Sequence, residues 1–358
     1  MFASGHSFTS KSHFSYLYDK GQYSRFCGNC KGNFPALPPR ICLCYTNNKK
    51  GGGAAVYYNA LNEHLRRRFG RKAYKLSLQG ATTCPNRDGT VGERGCIFCS
   101  QQGSGEFAAC GGTIAQQMTD AKRRVADKVP PDAGYIAYFQ SFTNTYAPID
   151  YLRNIFTEAI APQDIVALSI ATRPDCLGAE VLALLAELNR IKPVWVELGL
   201  QTIHSATAQY IRRGYDLATF DRAVEQLRAI GVEVIVHQIL GLPHETEQQM
   251  LQTAEYIAHS GVQGVKFHLL HVLRGTDLAR EYARGTFETL EMEEYLPLVA
   301  KCVERMPREM VIHRLTGDGA KRDLIAPLWS GDKKRVLNAM RRYFEENDVQ
   351  QGRLYRGE

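Results

Sequence analysis

The chain of 358 residues carries 44 Lys and Arg, 37 Asp and Glu and a formal net charge of +7, and 44% of its residues are hydrophobic. This composition is that of an ordinary globular protein, and it excludes collagen-like, coiled-coil and wholly disordered chains. No apolar run approaches the roughly 18 residues of a membrane span, and residues 1–30 lack the apolar core of a signal peptide. We therefore expect a cytoplasmic protein that does not act at a membrane.

Residues 1–54 differ from the rest of the chain in composition. They hold seven basic residues and one acidic residue, so most of the net charge lies here and the remainder of the chain is close to neutral. Cys27, Cys30, Cys42 and Cys44 would fit a small zinc knuckle, but no helical or strand periodicity accompanies them. We expect a flexible basic extension, or a segment upstream of the true start codon.

From about residue 55, strand-like and helix-like segments alternate. Strands are predicted at 74–78, 135–140, 165–171, 194–200, 232–240 and 264–270. Several of these are β-branched runs that are apolar on both faces, as buried parallel strands should be. Helices are predicted over 55–69, 114–125, 149–159, 179–188, 218–229 and 245–259. This alternation implies right-handed crossovers and a parallel sheet, so the fold class is α/β with a partial (β/α)6 barrel. In such a barrel, functional groups belong at the C-terminal ends of the strands.

After Thr276 the pattern becomes mainly helical, with helices predicted over 291–305 and 333–346. We therefore expect a small α-rich C-terminal extension on the barrel. The predicted organisation is an extension at 1–54, a core at 55–285 and a C-terminal extension at 286–358.

The first predicted strand runs directly into a glycine-rich loop with three cysteines, Cys84, Cys96 and Cys99. A structural zinc site needs four closed ligands, and no fourth Cys or His lies at a matching distance. Iron–sulfur clusters are usually held by four thiolates, so three leave one iron open to a small molecule. The alternative is a zinc loop that a distant residue such as Cys110 completes.

Further motifs follow the predicted strands. They are Thr172-Arg173-Pro174-Asp175, Val196-Glu197-Leu198-Gly199-Leu200-Gln201-Thr202 and Gly241-Leu242-Pro243-His244-Glu245-Thr246, with the aromatic Phe98 just before the third cysteine. Together with the cysteine loop, these motifs resemble the radical S-adenosylmethionine (SAM) superfamily. The resemblance covers residues 55–358 and is greatest to the bacterial branch related to the catalytic subunit of Elongator, many of whose members have unassigned substrates.

The resemblance implies that Cys84, Cys96 and Cys99 bind three irons of a 4Fe–4S cluster and that SAM chelates the fourth. It also implies that SAM is cleaved to methionine and a 5′-deoxyadenosyl radical, which takes a hydrogen atom from the substrate. A reductant such as flavodoxin or ferredoxin is the expected partner. Whether the enzyme is a transferase or an oxidoreductase stays open.

The resemblance also suggests residues that hold SAM. Arg213 lies twelve residues after Gln201 and is the expected partner of the SAM carboxylate, because a guanidinium offers a bidentate fork. Arg173 is the second candidate, and Gln201 is expected to bond the ribose or the methionine moiety. In place of the superfamily's Gly-Gly-Glu, this chain has Gln140-Ser141-Phe142, so Gln140 or backbone carbonyls would hold the SAM amine. Apart from the resemblance, both arginines fit ordinary solvated or turn-stabilising charges.

Lys266 and His268 alternate to one face of the sixth predicted strand. Both are therefore expected to point into the barrel mouth and contact the substrate. The alternative is a pair of satisfied polar residues at a strand end.

Two basic clusters bear on the substrate class. The first is Arg66, Arg67, Arg68, Arg71, Lys72 and Lys75, and the second is Lys333, Lys334, Arg335, Arg341 and Arg342. Such clusters can pair with phosphates, although a solvated helix face has the same composition. With the kinship to Elongator, they favour modification of RNA, specifically of a tRNA base. The near-neutral core favours a metabolite or protein substrate, and the third alternative is a non-enzymatic, metal-stabilised nucleic-acid-binding protein.

Overall fold

The computed structural model describes residues 57–80, 83–103, 105, 108–317, 319 and 321–357. The candidate zinc knuckle at Cys27, Cys30, Cys42 and Cys44 lies outside this range. Within the range, none of the helices has the length and apolar character needed to cross a membrane.

The centre of the molecule is a sheet of seven parallel strands. The strands of the described chain are β1 (Ala73–Leu78), β2 (Gly134–Phe139), β3 (Ile165–Thr172), β4 (Val194–Gln201), β5 (Glu233–Leu240), β6 (Gly264–Leu269), β7 (Val272–Leu273), β8 (Val311–Arg314) and β9 (Leu324–Ala326). Strands β1 to β6 lie side by side in chain order, and β8 joins the free edge of β6. The sheet curls into a half-barrel, which confirms the predicted fold class. Strands β7 and β9 form a separate antiparallel pair.

Helices cover the outer face of the sheet. In the described chain they are α1 (Leu61–Phe69), α2 (Ile114–Val125), α3 (Ile149–Ile160), α4 (Ala179–Ile191), α5 (Ser205–Tyr210), α6 (Leu217–Ala229), α7 (Glu247–His259), α8 (Asp277–Ala283), α9 (Met292–Arg305) and α10 (Lys333–Glu346). Helices α2 and α7 each begin in a capping box, where Thr113 and Thr246 accept the N–H groups of Gln116 and Gln249. These caps fix the points at which the chain, coming from the C-terminal edge of the sheet, enters α2 and α7.

All six predicted strands are present, and each end lies within one residue of its prediction. The α-rich C-terminal extension is present as predicted, in α9 and α10. One boundary was wrong: helix α1 begins at Leu61 rather than at 55, because Ala60 is extended and forms a β-bridge with Ile312. The prediction did not include the short strands β7, β8 and β9 or the short helices α5 and α8. The domain division at 285/286 stays a prediction.

The interior of the half-barrel is layered along the strands. Its N-terminal end is apolar and is closed by α1, whose buried Leu65 packs against a layer made of Ala73, Ile136, Ala167, Trp195 and Ile235. Above this apolar layer lies a charged layer centred on Glu197, and above that the cavity opens at the C-terminal edge. Side chains of the described residues thus occupy the lower end, and the cavity opens on the cysteine side.

We predict that Leu65→Ala lowers the free energy of unfolding by about 2–5 kcal/mol, because it leaves a void in the apolar layer. Leu65 is 2% exposed. Leu337→Ala on α10 is the control, since Leu337 is 44% exposed and its truncation should change stability little. Urea unfolding followed by circular dichroism measures both variants. Equal stability of L65A and L337A would contradict the assignment of α1 as the helix that closes the N-terminal end of the half-barrel.

Candidate active site

The cysteine loop is held together by the side chain of Arg87. Its guanidinium donates to the carbonyl oxygens of Cys99 at 3.3 Å and of Gln101 at 3.4 Å, and also to that of Ser100. The loop makes room for this side chain at Gly95, where φ is 71° and a Cβ would lie 2.9 Å from Arg87 Nε. A single arginine thereby fixes the turn that carries the second and third cysteines.

Contacts to the β4–α6 segment and to α8 anchor the loop to the barrel. The Asn86 amide donates to the Arg212 carbonyl oxygen at 2.6 Å and lies 3.6 Å from Cys96 Sγ. The Ile97 N–H donates to the Ile211 carbonyl oxygen at 3.1 Å, and the N–H of Leu278 donates to the Ile97 carbonyl oxygen at 2.9 Å. The thiols are therefore positioned by backbone and amide bonds that need no metal to form.

One cavity of about 270 Å³ lies between this loop and the C-terminal ends of the strands. Eight of the nine residues that the sequence singles out for the site line it: Cys84, Cys96, Cys99, Gln140, Arg173, Gln201, Arg213 and His268. The ninth, Lys266, lies below the cavity and is 3% exposed.

The three thiols open onto this cavity, and each is partly exposed. Burial, together with the neighbouring Cys99 and Cys84, raises the pKa of Cys96 to about 12, so the thiols lie within electrostatic reach of one another. Among the described residues, no three His, Cys, Asp or Glu side chains have the spacing needed for a single metal ion. Cys110 is exposed and lines a separate surface depression, so it does not complete a zinc site with them.

Arg213 is largely occupied with the backbone. It donates to the carbonyl oxygens of Leu200 at 2.9 Å and Thr202 at 2.6 Å, and twice to that of Tyr215, at 2.9 and 3.1 Å. Since a guanidinium has five N–H groups, one remains for another acceptor in this conformation. Arg213 thereby ties the end of β4 to the segment before α6.

Arg173 has more uncommitted N–H groups than Arg213 has. It makes a bidentate pair with Asp175, at 2.9 and 2.6 Å, and donates to the Arg213 carbonyl oxygen at 2.9 Å, which leaves two N–H groups. The Tyr215 ring lies within 4.9 Å of the Arg173 guanidinium carbon and 4.7 Å of the corresponding carbon of Arg213. Tyr215 also donates its hydroxyl proton to the Gly199 carbonyl oxygen, so it fixes both arginines relative to β4.

Gln201 occupies a strained position at the end of β4. Its φ is 62°, and the register between β4 and β5 shifts between Gly199 and Gln201. A Cβ at Gly199 would lie 2.6 Å from Gln201 Nε2, so this glycine makes room for the amide. The bulge turns the glutamine toward the cavity.

The segment that replaces the Gly-Gly-Glu motif packs onto the cysteine loop. Phe142 has φ 58°, and its ring fills the space where a Cβ on Gly103 would lie, at 2.4 Å. The Arg87 guanidinium carbon is 5.6 Å from the centre of the same ring. Gln140, the residue after β2, lines the same cavity as Phe142.

Below the cavity, four donors converge on the buried carboxylate of Glu197. Oε1 accepts from Lys75 Nζ at 2.6 Å and from Ser169 Oγ at 2.8 Å. Oε2 accepts from His237 Nε2 at 2.9 Å and from Lys266 Nζ. The predicted inward direction of Lys266 is thus present, but its ammonium is used inside the barrel wall instead of at the cavity.

Charges in this layer set the protonation states. Burial alone would raise the pKa of Glu197, but Lys266 and Lys75 hold it well below its ordinary value, so the carboxylate is ionised. Burial and the nearby Lys266 lower the pKa of His237 to about 4. Burial and His237 likewise lower the pKa of His268. Both imidazoles are therefore neutral near pH 7, and His237 donates its Nε2 proton to Glu197.

We predict that Glu197→Gln lowers the free energy of unfolding by about 3–5 kcal/mol at pH 7, because the buried Lys266 and the partly buried Lys75 lose their counter-charge. The stability that the wild type has over E197Q should be fully present above the ordinary carboxyl pKa of 4.5 and should shrink as the pH falls below it, because the pKa of folded Glu197 is depressed. Urea unfolding between about pH 2 and 7 measures this difference. Glu187→Gln, which breaks the exposed pair with Arg153, is the control and should have little effect. A pH-independent loss in E197Q would contradict this account.

Sequence reasoning missed Asn86, Arg87, Glu197, His237 and Tyr215 as site residues. Glu197 and His237 carried a usable signal, because a charged or imidazole side chain inside an otherwise apolar buried strand needs a partner. Arg87 and Tyr215 carried none, since their roles depend on contacts that the loops alone create.

The first basic cluster lies at the closed end of the barrel. Arg66, Arg67 and Arg68 are exposed on α1, where Arg66 pairs with Glu63 and Arg68 with Glu233. The cysteine loop follows the other end of β1, whose six residues span about 20 Å. These three arginines therefore cannot contact the group that occupies the cavity, whereas Lys75 of the same cluster points inward to Glu197.

Comparisons with known proteins agree with the motifs. The family model of the radical SAM superfamily matches residues 84–257, and that of the radical SAM C-terminal domain matches residues 262–346. The uncharacterized protein YtqA of Bacillus subtilis is 45% identical over 312 residues, which are 87% of this chain and 95% of YtqA. The tRNA uridine(34) acetyltransferase of Methanocaldococcus jannaschii is 27% identical over 156 residues, 43% of this chain and 28% of that enzyme.

The solved structure of Methanocaldococcus infernus Elp3, with residues 1–46 deleted, has the same fold. Its TM-score is 0.59 at 17% identity, and the match covers 78% of this chain and 64% of that chain. The chain belongs to the radical SAM superfamily of enzymes. This membership disfavours the alternative of a non-enzymatic, metal-stabilised nucleic-acid-binding protein.

Proposed function

We propose that this radical SAM enzyme holds a 4Fe–4S cluster on Cys84, Cys96 and Cys99 and uses it to cleave SAM. When bound, the cluster supplies the electron that splits SAM into methionine and a 5′-deoxyadenosyl radical, which removes a hydrogen atom from the substrate. The observation that carries this proposal is that three thiols, two arginines and two glutamines share one cavity at the C-terminal edge of the sheet. A reductant such as flavodoxin or ferredoxin would be the electron-transfer partner.

The residues present fit this cofactor. Three thiols that do not close around a single ion suit a cluster in which each thiolate takes a different iron. The amide of Asn86 lies within hydrogen-bond reach of Cys96 Sγ, and such bonds to sulfur tune the reduction potential of a cluster. Arg87 would hold the loop in the same shape with and without the cluster.

Arg173 and Arg213 would bind the carboxylate of SAM. Arg173 has two uncommitted N–H groups against one for Arg213, so we assign the main contact to Arg173 and a positioning role to Arg213. Gln201, which the bulge of β4 turns toward the cavity, would bond the ribose or the methionine moiety. Gln140 would accept from the SAM amine through its amide oxygen.

We predict that Cys96→Ala abolishes both the brown colour of the anaerobically reconstituted protein and its formation of 5′-deoxyadenosine. Cys110→Ala is the matched control, because Cys110 is exposed and lies outside the cavity. Visible absorbance, iron content and chromatography of the SAM products measure the effect. An intact cluster in C96A would refute the ligand assignment.

We predict that Arg173→Gln weakens SAM binding by about 10–100-fold, the effect of losing one charge-assisted pair. Arg213→Gln should lower the stability of the fold as well, since it frees the carbonyl groups of Leu200, Thr202 and Tyr215. Equilibrium binding of SAM and urea unfolding of both variants separate these effects, with the exposed Arg190→Gln as the control. If R173Q binds SAM as tightly as the wild type does, Arg213 makes the main contact with the carboxylate and Arg173 is the positioning residue.

We further propose that the substrate is RNA, specifically a tRNA base. Support comes from the similarity to a tRNA uridine(34) acetyltransferase and from the exposed basic clusters on α1 and α10. Since the α1 cluster is about 20 Å from the cavity, it would contact the body of the RNA and not the reacting base. A metabolite or protein substrate is the second candidate, favoured by the near-neutral charge of residues 55–358.

Comparison of the nucleosides in bulk tRNA from deletion and parent cells tests the tRNA assignment. A nucleoside that changes in the deletion strain, and returns with the wild-type gene but not with C96A, would support it. An unchanged nucleoside profile would move the assignment to a metabolite or protein.

A further inference from the structure

The two basic clusters of the chain differ in how much of their charge is already paired. On α1, Arg66 forms an ion pair with Glu63, and Arg68 forms one with Glu233. Each of these pairs adds little net charge to the surface, because the carboxylate lies beside the guanidinium. Both pairs lie at the closed end of the half-barrel, where α1 packs. These two arginines therefore attract an anion only weakly.

The cations of α10 are unpaired. The residues that this helix buries recur at every fourth position, so the helix packs one face against the core; they are Val336, Met340 and Phe344. The opposite face, which we call the basic face of α10, carries two pairs of exposed cations, Lys334 with Arg335 and Arg341 with Arg342. No acidic residue lies between the first and the last of these four. None of their side chains forms an ion pair or a hydrogen bond with another described residue.

The basic face begins beside the cavity and runs away from it. Leu273 lines the cavity and pairs with Leu324 across the β7–β9 ladder. A Cβ on Gly331, in the turn just before α10, would lie 3.5 Å from Leu324 Cδ2, so this turn packs against that ladder. Near the other end of the helix, the ring of Phe344 lies 6.1 Å from that of Tyr57, in the segment that leads into α1. The first pair of cations is therefore nearer the cavity, and the second pair lies toward the closed end.

A polyanion such as RNA fits this face. The two pairs of cations are seven residues apart, which is about 10 Å along the helix axis and close to two full turns, so they lie on the same side. The phosphates of a nucleic-acid backbone follow one another at short, regular intervals, so one strand can meet both pairs. The exposed Leu337 and Asn338 between the pairs add no charge. A second copy of this helix would instead bring like charges together, which is unfavourable.

We propose that the basic face of α10 is the surface that binds the phosphates of the RNA substrate, with the reacting base directed toward the cavity mouth. This inference rests on the proposed RNA substrate, but it does not depend on which base is modified. Phosphate contacts position a nucleic acid without reading its sequence, so the choice of the reacting base belongs to the cavity. The paired arginines of α1 contribute less to RNA binding than α10 does.

The first test removes the charge of the pair nearer the cavity. Filter binding measures the affinity of the reconstituted full-length protein for bulk tRNA from deletion cells, at salt concentrations between about 50 and 200 mM. We expect Lys334→Gln/Arg335→Gln to bind about 10–100-fold more weakly than the wild type, because two phosphate contacts are lost. For the same reason, its slope of log affinity against log salt concentration should be shallower by about 1.4–1.8. The charge-conserving variant Lys334→Arg/Arg335→Lys should bind as the wild type does.

The matched comparison is Arg66→Gln/Arg68→Gln on α1, which removes the same number of positive charges. Because these arginines are already paired and lie at the closed end, we expect the affinity for tRNA to fall by no more than about threefold. Arg341→Gln/Arg342→Gln, the second pair on α10, should reduce the salt slope by about as much as the first pair does, and the fourfold variant by the sum. Iron content and urea unfolding show whether each variant is folded and loaded.

The outcomes separate this inference from the proposed function. If the wild type binds tRNA but K334Q/R335Q binds it with unchanged affinity and salt slope, the inference fails, the RNA assignment stands and the face is left to an acidic protein. If R66Q/R68Q loses as much affinity as K334Q/R335Q does, the inference fails as well, because RNA then binds at the closed end. If the wild type binds no tRNA, the RNA assignment itself fails and this inference with it. Formation of 5′-deoxyadenosine by the wild type tests the radical function independently of all three.

Discussion

The structure depends on one buried carboxylate. Glu197 of β4 accepts hydrogen bonds from Ser169 and His237 on the neighbouring strands β3 and β5, and from Lys75 on β1 and Lys266 on β6, which are not adjacent to β4. Backbone ladders join neighbours alone, whereas the bonds from the two lysines cross the open interior of the half-barrel. An unpaired charge there would be strongly destabilising, and a complete set of donors makes the polar layer specific to this curvature.

That constraint explains the order of layers along the strands. Hydrophobic side chains fill the end that α1 closes, and the charged layer separates this plug from the cavity. Burial, together with nearby cations such as Lys266, keeps His237 and His268 neutral beside this layer. The cysteine loop is organised independently, since Arg87 and Asn86 bind backbone carbonyl groups in it and beside it. The cysteine loop and the polar layer are therefore separable features of the chain.

The sequence predicts the parts of the fold that a long periodic pattern specifies. The six strands are found because each is a largely apolar run of at least six residues in a buried sheet. Strand β8 has only four residues, two of them His313 and Arg314, and its pairing with β6 is a tertiary contact that no local pattern encodes. Motifs in the sequence predicted the cavity-lining residues at the strand ends. They did not predict how deep in the barrel each side chain lies. Lys266 was expected to meet the substrate and is instead used by Glu197.

Lys75 shows that a run of basic residues in the sequence need not form a single surface. In the sequence it extends a basic run that reads as an RNA-binding surface, but alternation along β1 turns it inward to Glu197, away from the exposed Arg66, Arg67 and Arg68. The surface cluster is therefore smaller than the sequence implied and lies at the closed end of the barrel. Inside the half-barrel, the carboxylate of Glu197 accepts hydrogen bonds from both Lys75 and Lys266. The basic residues of this stretch are thus divided between an outer face remote from the thiols and a polar layer beneath the cavity, where Lys75 is paired with Glu197.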